Sequence, residues 1–170
     1  MLTYTRLATI TLLALSLLPT TGFTAEQPMT VPINRLTLET ALKIAQNAMT
    51  QCRKEGVQVA VTIVDRGGHP QVVLRDTLAM DITLPVSHQK AHTAMVFNSP
   101  LSELEGRFNL PYQVPKMDGI MISAGGIPIS IGGSILGGIG VSGAPSGNID
   151  EKCARAGLEA VRTDLEMDSM

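Results

Sequence analysis

The chain has 170 residues, with 13 Lys and Arg against 15 Asp and Glu, no Trp and only 3% aromatic residues. That length suits one domain with a proper core. The mildly acidic balance, without a basic run, argues against a nucleic-acid partner, and the scarcity of aromatics argues against a stacking platform.

The first 25 residues, MLTYTRLATITLLALSLLPTTGFTA, carry one basic residue (Arg6), a largely apolar run from Leu7 to Leu18, then a proline and small residues. This is the layout of a secretory signal peptide, and twelve residues are too few to span a bilayer. Cleavage is expected between residues 22 and 25, leaving residues 26–170 as a single exported domain, periplasmic or secreted. Removing Arg6 leaves twelve basic residues against fifteen acidic ones. Export places Cys52 and Cys153 where they can pair; a bridge and two buried free thiols both fit the count.

Residues 26–35 read as an extended lead-in. LTLETALKIAQNAMTQCRKEG then sets Leu38, Ala41, Leu42, Ala45, Ala48, Met49 and Cys52 on one helical stripe, with Thr37 as N-cap and Gly56 as stop. VQVAVTIVD and PQVVLRDT read as strands joined at RGGH. PVSHQKAHTAMVF reads as a second helix, and a short one is expected near LSELEGRF. GIMIS, IPISI and SILGGIGVS follow as strands, the last two closed by Gly132-Gly133, a dipeptide suited to primed turns. NIDEKCARAGLEAVRTDL is a third helix, capped by Asn148 or Asp150. The order α-β-β-α-β-β-β-α predicts an α+β sandwich on a five-stranded antiparallel sheet.

Within GGIGVSG, Gly138, Gly140 and Gly143 spell a dinucleotide-binding fingerprint. That fingerprint needs a strand before it, a helix opening at its third glycine and a second parallel strand beyond. Here the glycines lie inside a strand and only 27 residues follow Gly143, so the nucleotide reading fails. The even face of SILGGIGVS carries Leu136, Gly138, Gly140 and Ser142. A face so bare admits a closely packed helix or a planar ligand.

Of three histidines, His88 and His92 lie four apart on the second helix, with Met95 continuing the stripe. Such a pair can hold one metal from one side, or stand as a plain polar face. Gln89 and Lys90 exclude a zinc-protease motif, and Lys90 adds positive charge beside a cation. Two residues on one helix approach a haem iron from the same side, so only one can be axial. His69 reads as a turn residue. Ser87 and His88 point apart, and no catalytic constellation is visible.

VAVTIVDRGGHPQVVLR, SHQKAHTAM, GGIPISIGGSILGGIGVSG and DEKCARAG, in this order and spacing, resemble the GlcG/HbpS-type family over about residues 36–163. That family includes secreted haem-binding proteins and the C-terminal domain of PduO-type corrinoid adenosyltransferases. The resemblance implies a profilin-like α-β-α sandwich with five antiparallel strands, assembled as a homo-oligomer, with haem (tetrapyrrole) as cofactor. It implies ligand contact at the K-A-x-T-A helix motif, matched by Lys90, Ala91, Thr93 and Ala94 with His92 at the variable position, and at Gly138 and Gly140. The segments Arg75-Asp76-Thr77 and LAMDITLP depart from the family pattern beside the expected pocket. The leading expectation is an exported haem-binding protein, in haem sensing, storage or breakdown, with His92 and then His88 as iron ligands. The alternatives are an enzyme or accessory acting on a small organic acid, and a ligand-free structural oligomer.

Overall fold

The structure, a computed structural model, describes residues 28–108 and 117–168; the signal-peptide expectation lies outside them. The chain divides at Pro32. Residues 28–32 carry no helix or strand, and residues 33–168 contain every element described below.

Helix α1 spans Leu38–Lys54, capped by Thr37, whose hydroxyl accepts from the Thr40 amide at 3.2 Å. Gly56 ends it with φ +76°, a conformation only glycine adopts freely. The buried stripe is Ala41, Ile44, Ala45, Ala48, Met49 and Cys52. Leu38 is 59% exposed and Ile44 takes the core place instead, because Leu38 is the first helical residue and precedes the turn that meets the sheet.

Strands β1 (Ala60–Asp65) and β2 (Pro70–Arg75) form the expected hairpin. After helix α2 (Thr83–Phe97) and a 3₁₀ turn at Leu101–Glu103 come β3 (Gly126–Ile131), β4 (Ser134–Ser142) and helix α3 (Gly147–Asp168). At the β3–β4 turn Gly132 and Gly133 have φ of +56° and +81°, the two positive angles of a type I′ turn. Because α3 begins at Gly147, Asn148 and Asp150 lie inside its first turn and neither caps it.

The sheet is antiparallel, in the order β2-β1-β4-β3. Among the described residues it has four strands, which corrects the expectation of five. GIMIS, residues 119–123, forms no strand because side chains take up amides there and just beyond. The Met121 amide donates to the Thr93 hydroxyl at 2.9 Å, and those of Ala124 and Gly125 donate to Glu105 and Glu151.

Alternation along the central strands sorts the layers. Val61, Ile63, Ile139 and Val141 face α1 and α3 in the main core, each buried side chain contributing about 1.5–3 kcal/mol. Thr62, Val64, Gly138 and Gly140 face α2, so the molecule is an α-β-α sandwich. In the α1–α3 layer, Gly157 lies against the Ile44 carbonyl and Ala48, and one turn away Cys52 and Cys153 form a disulfide with Cα atoms 5.4 Å apart. The open question of the cysteines is thereby answered.

Candidate ligand site

Helix α2 is set on the sheet by glycine. A β-carbon on Gly140 would stand 2.0 Å from the Ser87 carbonyl oxygen, and one on Gly138 would stand 2.3 Å from that of Ala91. Four helical residues advance about 6 Å and two strand residues about 6.7 Å, so successive carbonyls on one helix face sit over successive glycines on the strand. Gly126 on β3 receives the Lys90 carbonyl in the same way. The bare face is filled by a helix, and Gly138 and Gly140 are buried beneath it.

Two further residues of the expected ligand set turn inward. Thr93 is fully buried and holds the Met121 amide. Lys90 is buried, its Nζ 3.0 Å from Asp150 Oδ2, with both side chains no more than 5% exposed. Packing therefore engages Lys90, Thr93, Gly138 and Gly140, four residues of the ligand set that the family resemblance implies. The K-A-x-T-A segment anchors α2 to the sheet and to the loop before β3.

His88 and His92 remain half-buried on the flank of α2 facing the β1–β2 turn. His88 Nε2 lies 3.5 Å from the Gly68 carbonyl oxygen. His92 packs so closely that a β-carbon on Gly68 would come 2.6 Å from its Cδ2. Ser87 points the other way, to the Thr62 hydroxyl at 2.8 Å. His69 is exposed, its Nδ1 3.5 Å from Asp65.

The turn that meets the histidines is built on Asp65, which sequence reasoning passed over. Its Oδ1 accepts from the amides of Gly67 at 2.8 Å and His69 at 3.0 Å, and Arg35 pairs with its other oxygen at 3.2 Å. Burial works to raise this carboxyl, yet the two amides, Arg35 and His69 together hold it below the ordinary aspartate value. The signal was present in D-R-G-G-H, an Asp two residues before a glycine, which favours an Asx turn.

On the same face of the sheet β2 leaves Val73 exposed, and the loop from β2 into α2 exposes Leu78, Met80 and Ile82. Among the described residues no three His, Cys, Asp or Glu side chains gather to hold a metal, and no helix is long and apolar enough to cross a membrane. A cavity of about 450 Å³ lies on the opposite side of the sheet. It sits between the start of α1, the β3–β4 turn and the end of α3, and is lined by Arg35, Leu36, Thr37, Ile131, Leu136 and Leu165 among others.

This three-layer arrangement is that of known proteins. HbpS of Streptomyces reticuli, solved in a double-mutant form, is 38% identical, with a TM-score of 0.75 over 81% of this chain and 94% of that one. The Klebsiella pneumoniae protein ORFY (23% identical, TM-score 0.74, 80% and 97% covered) and a PduOC–haem complex (24%, 0.67, 74% and 94%) share the fold. An uncharacterized 15.0 kDa protein of Citrobacter freundii is 29% identical over 116 residues, 65% of this chain and 82% of its own. The family model described as haem degrading protein HbpS-like matches residues 36–159. The chain belongs to that family, as the motif resemblance implied.

Proposed function

We propose that this chain is an exported haem-binding protein whose iron-proximal residue is His92, with His88 beside it. The observation that carries the reading is the pair of half-buried imidazoles on the flank of α2, in a chain of the HbpS-like family. The residues present fit the group: an imidazole can ligate iron, Val73 supplies exposed apolar surface on the α2 side of the sheet, and Leu78, Met80 and Ile82 supply more in the loop before α2. His92 would hold the haem, which would supply iron chemistry at the site. The chain's own part is to orient His92 by its contact with Gly68 and to keep water from one ligand face. A second copy covering the other face accounts for the expected homo-oligomer. The leader-like N-terminus and the Cys52–Cys153 bridge support a periplasmic or secreted setting, in haem sensing, storage or breakdown.

Titrating haemin into the protein while following the Soret band tests this. A saturable shift at a fixed haemin-to-chain ratio is expected; weak, unsaturable uptake would overturn the reading.

The cavity favours a second reading, a small organic acid, with Leu36, Ile131 and Leu136 as its apolar wall and Arg35 as the cation at its lining, where the acid would have to draw Arg35 from Asp65 and bind beside Asp168. Short-chain carboxylates would then raise the unfolding temperature in proportion to occupancy, and no rise at millimolar ligand would dismiss it.

A further inference from the structure

A single helix gives a haem iron one axial ligand, so the haem reading employs one imidazole and leaves the other over. Yet both rings converge on one residue. His88 Nε2 is 3.5 Å from the Gly68 carbonyl oxygen. His92 Cδ2 and Nε2 lie 2.6 and 3.1 Å from where a β-carbon on Gly68 would stand. Position 68 also has φ +83°, so a side chain there would be strained and would push into the His92 ring.

Imidazoles at i and i+4 share a helix face and can bind one ion together. The obstacle foreseen in the sequence was Lys90, a cation between them. The structure removes it, because Lys90 Nζ is turned into the core and paired with Asp150 at 3.0 Å. Arg66, the other cation of the β1–β2 turn, directs its guanidinium to the Ile135 carbonyl at 3.3 Å.

We propose that His88, His92 and the Gly68 carbonyl form an open site for one divalent transition-metal ion of the imidazole-preferring class, with water completing the coordination. Copper(II) heads that class for nitrogen donors. The site stands independently of the haem reading and competes with it, since an ion held there occupies His92.

Copper(II) titrated into the untagged full-length chain, with electron paramagnetic resonance read at each point, tests the proposal. One ion per chain is expected, with hyperfine structure from two nitrogens. His88→Ala and His92→Ala should each weaken binding at least about tenfold, because the second donor acts at high effective concentration, while His69→Ala should not. His88→Gln and His92→Gln, with unchanged circular dichroism, guard against loss of fold. Absence of stoichiometric binding, an effect confined to one of the two histidines, or loss on His69→Ala would overturn it. Haemin uptake without copper uptake would overturn this proposal alone, and the reverse would overturn only the haem reading.

Discussion

Lys90 shows what a sequence motif conceals. Its place on α2 was legible, but its partner Asp150 lies 60 residues away, and no local pattern announces that contact. Burial pushes the Asp150 carboxyl up, against Lys90 and the amides of Ala144 and Gly143, which pull it down. Breaking a buried pair strands a charge, so Lys90→Met should lower stability by about 3–5 kcal/mol in urea unfolding. Adding Asp150→Leu should recover part of that loss. Its neighbour Glu151 behaves oppositely. Burial raises its carboxyl, but the Ser102 hydroxyl, Arg155 and the amides of Ser102 and Gly125 together hold it below its ordinary value of 4.5. The unfolded state therefore takes up the proton first as pH falls below about 4.5, and stability is lost through that window. Glu151→Gln should flatten the acid limb of a plot of stability against pH, and an unchanged slope would show that the carboxylate's bonds are not felt.

At the scale of elements, periodicity named three helices and, among the described residues, all four strands, because each buries a stripe or face that its own residues define; it also named a fifth strand that does not form. Two things escaped it. GIMIS alternates like a strand, but amides in and after it are met by Thr93, Glu105 and Glu151 from elsewhere in the chain, which propensity cannot register. The bare face of β4 was visible, while its occupant was not, since a helix carbonyl and a planar ligand ask the same thing of Gly138 and Gly140. The packing makes a sharp prediction. Gly140→Ala places a methyl 2.0 Å from the Ser87 carbonyl, so α2 must lift from the sheet, at a loss of about 3 kcal/mol or more. A shift in the unfolding midpoint reads this directly; an unaltered midpoint would mean that α2 is not seated as described.

For the whole molecule, the Cys52–Cys153 bridge closes a sequence separation of 101 residues and ties α1 to α3. A loop of that length implies roughly 4–5 kcal/mol from restricting the unfolded chain. The Cys52→Ser/Cys153→Ser pair should lose about that much in denaturant unfolding, and the wild type should match it in strong reductant. The even cysteine count made the bridge conceivable from sequence; the antiparallel crossing of α1 and α3 is what makes it. That layer stabilises one side of the sheet, while α2, with its histidines, covers the other.

The most direct test of the central claim, that α2 presents His92 to a haem iron, is resonance Raman spectroscopy of the haemin complex. Wild type, His92→Ala and His88→Ala should be compared at equal loading. The account predicts an iron–imidazole signature in wild type that persists in His88→Ala and disappears in His92→Ala. The same signature in all three proteins, or none in the wild type, would contradict it.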